Sequence, residues 1–324
     1  MGSDVRHDPG SDAGELTSPE VGRLDAVLAR ALPGLSRARI QRLIEAGHVR
    51  VNGEPARKSA LVSAGDVLTY SVPATEHDAP ASGLDLPILY EDAVMAAIDK
   101  PAGLAVHGAP GDTGPSVAAW WLERLGEHAA GFDVERPGIV HRLDKETSGV
   151  LLLAKTPVAQ AALSRGFEER ATRKTYLAVV EGTPDRRHAV IDAPIDRHPG
   201  DRTRMAVTRA GRESRTEYEV AAHDAERALL VVHPETGRTH QIRVHLAAIG
   251  HPVAEDGVYG RRATNGRQLL HAYRIEVPHP DGGRLTVTAP APEDMVAAIR
   301  SIGGEQVASQ YSHITPPTRE PAAD

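Results

Sequence analysis

The chain has 324 residues, of which 40% are hydrophobic and 25% are charged, as expected for a globular protein of about two domains. It contains no cysteine, which excludes disulfides, thiolate metal sites and cysteine nucleophiles. No apolar run is long enough to span a membrane, and the polar N-terminus lacks the apolar segment of a signal peptide. We therefore expect a cytoplasmic protein without membrane association.

The net charge of −7 is unevenly distributed along the chain. Residues 1–20 contain five acidic residues and one arginine, and residues 74–99 contain six acidic residues and no basic one. Residues 21–73, in contrast, contain eight lysines and arginines and four acidic residues. Because the local field of a folded segment governs its attraction for a polyanion, the acidic total does not exclude nucleic acid as a partner.

Composition divides the chain into five segments. Residues 1–20 are rich in Gly, Ser, Asp and Pro and are predicted to be a disordered acidic tail. Residues 74–86 are predicted to be a linker, and residues 303–324 a second disordered tail. Between them lie a small domain, residues 21–73, and a large domain, residues 87–302.

The small domain is predicted to contain two short helices and a small sheet. The first helix is indicated by apolar residues at helical spacing, namely Leu24, Val27, Leu28 and Leu32. Ser36 suits the N-cap of a second helix, and Gly47 suits the position just after its end. The alternating sequence HVRVNG then turns at Asn52-Gly53, which is a hairpin signal.

The second helix carries several arginines on the face opposite its apolar residues, and charge alone is equally typical of a solvated face. The order of the elements, with Ser-Arg, Gly, Val-Asn-Gly and Gly-Asp at their spacing, resembles an S4 RNA-binding domain. That resemblance implies phosphate contacts from Arg37, Arg39, Arg42, Arg50, Arg57 and Lys58. Such contacts give affinity and salt dependence rather than base choice.

The large domain is predicted to be α+β, because long strand patterns alternate with both hairpin and helix signals. Strands are predicted in GVLLLAK, RKTYLAVVEG, TEYEVAAH, ALLVVHPETG and RLTVTAP, and helices in SVAAWWLERLG and PVAQAALSRGFEER. The motifs of phosphate-binding loops, serine hydrolases and zinc proteases are missing. His240, His245 and His251 do not share one helical face, so no metal site is predicted.

Four motifs of the large domain follow one another in the order found in a known enzyme family. They are PGIVHRLDKETSGVLLLAKT, RKTYLAVVEG, TGRTHQIRVHLAAIGHPV followed by YG, and RQLLHAYRIEVPHP. They resemble the RluA family of pseudouridine synthases, in the S4-bearing branch that acts on large-subunit ribosomal RNA. The resemblance implies a synthase domain built on a mixed, mainly antiparallel β-sheet with flanking helices, behind the small S4-like domain.

The family's reaction breaks the glycosidic N–C bond of a uridine in RNA, rotates the uracil and rejoins it through carbon. Neither a redox change nor a net transfer occurs, so no cofactor and no metal are expected. The resemblance implies that Asp144 is the reacting carboxylate, as a nucleophile at C1′ or a base at C2′. Arg243 would keep it ionised and aimed, and the ring of Tyr176 would pack against the flipped uracil.

Further roles follow from the same resemblance. Arg142 would enter the gap that the flipped uridine leaves, and Leu270 would pack beneath the Tyr176 ring. Lys174, Arg238 and Gln241 would line the substrate site, while His141 and His271 are expected to be hydrogen-bonded framework residues. For single residues the ordinary alternatives stay open: an exposed loop arginine, a half-buried strand tyrosine or a core leucine.

The sequence departs from the family pattern at two positions. Glu146 stands where Asp is usual, which is a conservative change outside the reacting position. Glu255 stands where Gly is usual, before the last turn of the third motif. A side chain at that position puts the local loop shape in question.

The expected function is that of a monomeric RNA pseudouridine synthase acting on structured RNA, with 23S ribosomal RNA as the first candidate substrate and tRNA as the alternative. A non-catalytic S4-type ribosome-assembly protein is a second alternative, and the intact Asp144, Tyr176 and Arg243 argue against it. A glycosidic hydrolase would require two carboxylates flanking the bond, and no partner for Asp144 stands out.

Overall fold

The computed structural model describes residues 6–7, 13–32, 37–57, 59–72, 83–108, 114–129, 131–132, 136–260 and 266–321. The chain forms two compact units, Met1–Pro80 with Gly126–Pro137, and Ala81–Leu125 with Gly138–Asp324. Most of the predicted linker, residues 74–82, lies outside the described residues. Within them, no helix is both long enough and apolar enough to cross a membrane.

The smaller unit packs two helices against short antiparallel strands. The helices are α1 (Leu24–Ala31) and α2 (Arg37–Glu45), and a 3-10 turn covers Gly126–Ala129. The strands are β1 (Arg6–His7), β2 (Ala13–Thr17), β3 (Gly22–Arg23), β4 (Val49–Val51), β5 (Glu54–Pro55), β6 (Leu61–Val62) and β7 (Val67–Ser71). Five strands form a sheet in the order β1-β2-β7-β4-β5, and β3 pairs with β6. Apolar side chains of both helices and of β4 and β7 form its core.

The two turn signals of this unit are confirmed. The backbone N–H of His48 donates to Leu43 O at 2.8 Å and that of Gly47 to Ile44 O at 3.1 Å, with Gly47 at φ +79°. This is the Schellman ending of a helix, which favours glycine at that residue. The β4–β5 hairpin turns through Asn52 at φ 52° and Gly53 at φ 85°. Ser36 lies outside the described residues.

Part of the predicted N-terminal tail is ordered, so that prediction is wrong for residues 13–17. Strand β2 pairs with β7 over five residues, from Ala13 opposite Ser71 to Thr17 opposite Val67. The reason is burial: Leu16 joins the core of the unit, and the pairing occupies the backbone groups along one edge of β7. The polar composition of this segment therefore predicted disorder, although it forms a short strand with one buried side chain.

Among its described residues, the larger unit contains one ten-stranded sheet, four helices and a separate hairpin. The helices are α3 (Val117–Leu125), α4 (Pro157–Glu168), α5 (Gln241–Ala248) and α6 (Glu293–Tyr311). The strands are β8 (Ile88–Glu91), β9 (Met95–Lys100), β10 (Ser148–Ala154), β11 (Arg173–Glu181), β12 (His188–Asp192), β13 (Ile195–His198), β14 (Asp201–Val207), β15 (Arg215–His223), β16 (Arg227–Pro234), β17 (Leu270–Pro278), β18 (Arg284–Thr288) and β19 (Thr318–Glu320).

The large sheet is mixed and mainly antiparallel. Its order is β12-β15-β16-β11-β17-β10-β9-β8, with β18 pairing β17 and β19. Only the pair of β10 and β17 is parallel among the described strands. The predicted α+β class with a mainly antiparallel sheet and flanking helices is confirmed.

Alternation along β11 decides which helix covers which face of the sheet. Leu177 and Val179 belong to the core cluster that contains α6. Ala178 and Val180 belong to the cluster that contains α5, and Tyr176 packs against that same cluster. Because side chains two residues apart share a face, Tyr176 lies on the α5 side of the sheet.

The predicted C-terminal tail is also partly ordered. Helical structure extends to Tyr311, although it is interrupted at Gly304, which adopts the non-helical angles φ 77° and ψ −179°. Ile302 before this kink and Ala308 after it are buried, and β19 pairs with β18. Burial therefore stabilises the part of the chain beyond residue 302. The prediction of disorder from residue 303 onward is therefore wrong for this part of the segment, and residues 322–324 lie outside the described residues.

Candidate active site

The loop that carries Asp144 is held at both ends by the large sheet. At its start, the ring Nε2 of His141 accepts a hydrogen bond from the backbone N–H of Leu152 in β10, at 2.9 Å. At its end, Gly149 adopts φ +113°, and an added Cβ would come within 2.2 Å of the Ala272 carbonyl oxygen in β17. The glycine of this motif therefore allows β10 to approach β17 closely and gives the loop a fixed exit.

A buried lysine ties the same loop to the end of β9. The ammonium of Lys100 donates to the carbonyl oxygens of Pro101, Leu104 and Lys145, at 2.7, 2.9 and 3.1 Å. Burial lowers the pKa of Lys100 to about 8. Sequence reasoning missed this residue, although a lysine directly after the apolar strand pattern VMAAID is a signal that could have found it.

The guanidinium of Arg243, in the first turn of α5, lies between two carboxylates. Its Nη1 donates to Asp144 Oδ2 at 3.0 Å, which is the pair that the sequence predicted. Its Nε and Nη2 donate to the two oxygens of Asp256 at 2.7 and 2.9 Å. Burial alone would lower the pKa of Arg243, but its carboxylate partners raise it overall. The cation is therefore permanent.

Exposure distinguishes the two carboxylates that share Arg243. The side chains of Arg243 and Asp256 are 5% and 0% exposed, whereas that of Asp144 is 18% exposed. Asp256 also accepts backbone hydrogen bonds from Val258 and Tyr259. Burial would raise the pKa of Asp256, but the bond with Arg243 and these amides lower it overall. Asp256 thus fixes the arginine, and Asp144 is the partner that reaches solvent.

The structure also answers the question raised by Glu255, which directly precedes Asp256. Glu255 adopts φ 61°, the left-handed conformation that glycine takes at little cost. Its carboxylate pairs with Arg227 at 3.2 Å. A glutamate thus occupies the left-handed conformation at this position, and Asp256 reaches Arg243.

Tyr176 enters the site through a local irregularity of β11. The register against β17 shifts there, since Thr175 lies opposite Arg274 and Leu177 opposite His271. Such bulges re-aim the side chain that they contain. Burial, followed by the negative charge of Asp144, raises the pKa of Tyr176 above its ordinary range, so its phenol is uncharged at neutral pH. Leu270 is buried in the cluster against which the ring packs.

These groups line a cleft of about 510 Å³, within the size range of small-molecule sites. Every residue that the sequence predicted as catalytic or substrate-binding borders it: Asp144, Tyr176, Arg243, Arg142, Lys174, Leu270, Arg238 and Gln241. Their roles toward a substrate stay predictions, and their convergence on one cleft is a structural fact.

The polar residues that line the cleft differ in how many of their hydrogen-bonding groups are already used within the protein. The amide of Gln241 accepts from Thr236 Oγ1 and Arg238 N and donates to Arg215 O and Thr216 Oγ1, so it is fully used in holding loops. Lys174 donates to Thr236 O at 3.0 Å, and burial lowers its pKa to about 8. Arg142 is exposed at the cleft.

Of the framework histidines, His271 is buried and His141 half-buried, and both are hydrogen-bonded to the backbone or a hydroxyl. His271 lies 2.9 Å from Ser148 Oγ and 3.1 Å from Ala289 O, and burial lowers its pKa to about 4. Burial likewise lowers the pKa of His141 to about 3. Within the described part of the chain, no group of three or more His, Asp or Glu side chains could hold a metal ion.

Two further residues at the site, His240 and Tyr259, were given no chemical role from the sequence. His240, at φ 54° before α5, has Nε2 3.9 Å from Asp144 Oδ1 and Nδ1 2.8 Å from the Tyr259 hydroxyl. The Tyr259 ring also lies under the Arg243 guanidinium, 5.0 Å from ring centre to Cζ. The Tyr-Gly pair that closes the third motif was the available signal.

The predicted RNA-binding residues of the smaller unit are only partly described. Arg37 pairs with the buried Asp25 at 3.0 Å. Arg50 and Arg57 are exposed, and the Nη1 of Arg50 donates to Gly53 O at 3.1 Å. Lys58 and the side chains of Arg39 and Arg42 lie outside the described residues. All six contacts with RNA stay predictions.

Comparisons with known proteins identify the family that this chain resembles. The family model described as RNA pseudouridylate synthase matches residues 94–248, and the S4 domain model matches residues 22–68. The chain is 43% identical to "Ribosomal large subunit pseudouridine synthase D" of Nitrosomonas europaea, over 89% of this chain and 87% of the relative. It is 42% identical to an uncharacterized RNA pseudouridine synthase of Mycobacterium bovis, over 87% and 95%. The solved structure "Human RNA Pseudouridylate Synthase Domain Containing 4" superposes with a TM-score of 0.54 at 26% identity, over 66% of this chain and 92% of that chain.

Proposed function

The chain belongs to the RluA family of RNA pseudouridine synthases, and we propose that it modifies large-subunit ribosomal RNA with Asp144 as the reacting carboxylate. The name of the Nitrosomonas europaea relative supports this RNA as the substrate class. The observation that carries the proposal is the pairing of a partly exposed Asp144 with a buried Arg243 at the cleft, 3.0 Å apart. A permanent cation at this distance orients the carboxylate through a charge-assisted hydrogen bond.

The two oxygens of Asp144 have different surroundings. Oδ2 accepts the hydrogen bond from Arg243, while Oδ1 accepts none from the residues that the structure describes. Oδ1 is therefore the oxygen that meets the ribose of a uridine flipped into the cleft. Base flipping costs a few kcal/mol, and the exposed Arg142 beside the cleft would fill the vacated position in the RNA.

The reaction balances with the groups of this chain alone. Oδ1 attacks C1′ or removes the C2′ proton, and the C1′–N1 bond breaks with its electron pair moving to the uracil. After the uracil rotates, its C5 bonds to C1′. This bond displaces Oδ1 from C1′ in the first route, and in the second route Oδ1 returns its proton to C2′. The C5 proton is then lost and N1 gains a proton. The raised pKa of Tyr176 favours a neutral ring that supports the uracil over a phenolate base. No step requires a cofactor or a metal.

The Asp144→Asn variant tests the proposal. Because the amide cannot act as nucleophile or base, we expect release of tritium from C5-labelled uridine in rRNA to fall by at least about 10³-fold, while RNA binding persists. Glu146→Gln is the matched control, since it removes a carboxylate two residues away that does not line the cleft. Normal product from Asp144→Asn would refute the assigned role. Chelation with EDTA should leave wild-type turnover unchanged.

We further propose that residues 21–73 deliver the RNA to the synthase domain of residues 87–302, in a monomeric cytoplasmic protein. The exposed Arg50 and Arg57 support RNA contact by the smaller unit. Mapping pseudouridines in rRNA and tRNA from cells with and without the gene tests the substrate. A loss confined to tRNA would replace ribosomal RNA by tRNA as the substrate class, and unchanged maps would favour a non-catalytic role.

A further inference from the structure

His240 lies in the cleft between Asp144 and a partly buried hydrogen-bond chain. Its Nε2 is 3.9 Å from Asp144 Oδ1, and its Nδ1 is 2.8 Å from the Tyr259 hydroxyl. The residue adopts φ 54° just before α5, a conformation that non-glycine residues seldom take. Strained backbone of this kind persists where the surroundings fix the residue, and it clusters at functional sites.

The chain of donors determines which nitrogen of His240 carries the proton. The backbone N–H of Met205, in β14, donates to the Tyr259 oxygen at 2.8 Å. The phenolic proton then has His240 Nδ1 as its acceptor, the one partner in reach within the described residues. A neutral imidazole that accepts at Nδ1 carries its proton on Nε2. Burial lowers the pKa of His240, which supports the neutral form.

The site therefore presents an N–H donor and a carboxylate acceptor side by side. Their separation of 3.9 Å is too long for a direct hydrogen bond. An oxygen atom about 2.8 Å from each would accept from Nε2–H and donate to Oδ1. In a nucleotide only a hydroxyl can do both, because phosphate and carbonyl oxygens accept but carry no proton to donate.

We infer that His240 Nε2–H and Asp144 Oδ1 form a subsite for one sugar hydroxyl of the target nucleotide, with Tyr259 as the positioning residue that fixes the His240 tautomer. The inference rests on the proposed function. The 2′-hydroxyl is the group concerned, because it neighbours the C1′ at which Asp144 acts. The subsite would then distinguish RNA from DNA at the reacting nucleotide, since DNA lacks this hydroxyl.

Product RNA tests the subsite without turnover. Synthetic stem-loops spanning the mapped target would carry pseudouridine or 2′-deoxypseudouridine, and equilibrium binding would be measured for each. We expect the wild-type protein to prefer the hydroxyl by about 10-fold, as for a hydrogen bond to a charged group. His240→Ala leaves the acceptor Asp144 Oδ1 in place, so we expect it to reduce the preference by about 2- to 10-fold, as for the loss of a neutral hydrogen bond. His240→Gln, which keeps an N–H donor, should lose less of the preference.

The outcomes separate this inference from the proposed function. Equal weakening of both RNAs by His240→Ala would overturn the subsite and leave His240 as a shape-filling residue. A wild-type protein without hydroxyl preference would also overturn it, whether or not Asp144→Asn had abolished turnover. Failure of the proposed function would instead show as normal product from Asp144→Asn.

The role of Tyr259 has a readout independent of RNA. In protein labelled with ¹⁵N-histidine, the signals of His240 are identified by their loss in His240→Gln. We expect Nε2 to be protonated and Nδ1 bare in the wild type, and a mixture of both tautomers in Tyr259→Phe. The Phe ring keeps the contact with Arg243, so the variant and the wild type differ in the hydroxyl and not in the packing of the ring. An unchanged tautomer in Tyr259→Phe, or an Nδ1–H form in the wild type, would overturn the assignment.

Discussion

Each unit of the molecule holds an aspartate against arginine, and the two arrangements bury opposite partners. In the smaller unit Asp25 is fully buried, while its partners Arg23 and Arg37 are about half exposed. In the larger unit Arg243 is buried, and Asp144 is the partner that reaches a cleft. Both pairs consist of an aspartate and arginine and carry the same kinds of charge. They differ in which partner is buried.

Hydrogen bonding explains what each arrangement can do. Asp25 accepts five bonds, from Arg23, Arg37 and Gln41, so no oxygen is free to react. Arg243 instead gives two bonds to Asp256 and one to Asp144. An arginine fixed by a second, buried carboxylate can hold a reacting carboxylate without occupying both of its oxygens. The first pair therefore leaves no oxygen free, and the second leaves Asp144 Oδ1 available for the proposed reaction.

The largest effect is expected from Arg243→Met, which would break this contrast. It leaves the fully buried Asp256 without a cation, and an uncompensated buried charge costs about 3–5 kcal/mol in the free energy of unfolding. Asp144 also loses its partner, so we expect turnover to fall by about 10²-fold or more. Urea unfolding and single-turnover tritium release measure the two effects separately.

A double variant separates the effect of Arg243 on stability from its effect on turnover. Adding Asp256→Asn to Arg243→Met removes the buried charge, and the Asn oxygen can still accept from the amides of Val258 and Tyr259. We expect most of the stability to return and the turnover to stay low. Recovered turnover in the double variant would show that Arg243 acts on the reaction only through stability.

A smaller effect is expected from Asp25→Asn. The arginines that lose their partner are about half exposed and can be solvated, so the cost in the free energy of unfolding should be about 1–2 kcal/mol. Turnover at saturating RNA should not change. A loss as large as that of Arg243→Met would show that exposure of the arginines does not set the cost.

The pH dependence of stability tests the same pair. Hydrogen bonds from Arg23, followed by those from Arg37, lower the pKa of Asp25 below its ordinary 3.8. A lowered folded pKa means that the carboxylate contributes stability above pH 3.8, and that this contribution is lost as acid protonates it. The difference in unfolding free energy between wild type and Asp25→Asn should therefore shrink from pH 5 towards about pH 2. A constant difference would mean that the charge of Asp25 is not the source.

Local signals were sufficient for much of the fold. The helix end at Gly47 and the hairpin at Asn52-Gly53 depend on residues adjacent in sequence, and both were predicted correctly. Strand β2 was missed because its place depends on pairing with β7, about fifty residues away along the chain. The end of α6 was missed for a similar reason, since burial against the sheet outweighs a polar composition.

The residues of the candidate site also divide into those that local sequence motifs predicted and those that depend on distant contacts. Asp144 and Arg243 came from motifs whose residues could be matched one by one. Asp256 and Lys100 were missed, and His240 was given no chemical role, because their roles exist only through contacts between distant segments. A polar residue in a loop is equally typical of an ordinary turn, so spacing alone could not select them.

The smallest effect is expected on the RNA-binding side, from Arg50→Gln combined with Arg57→Gln. Both arginines are exposed, so the folded state should tolerate the change. If each contacts one phosphate, the slope of log affinity against log salt should fall by about 0.7–0.9 per residue, and affinity should fall severalfold. Turnover at saturating RNA should be unchanged.

Arg37→Gln is the matched control, and it sharpens the comparison between the two aspartate pairs. The Nε and Nη2 of Arg37 are bonded to Asp25, so we expect this variant to lower the stability of the smaller unit and to leave the salt slope nearly unchanged. A slope reduced as much as by Arg50→Gln would mean that Arg37 binds a phosphate with its remaining N–H groups. The Asp25 pair would then orient an RNA contact, and both aspartates would serve function through the arginine they hold.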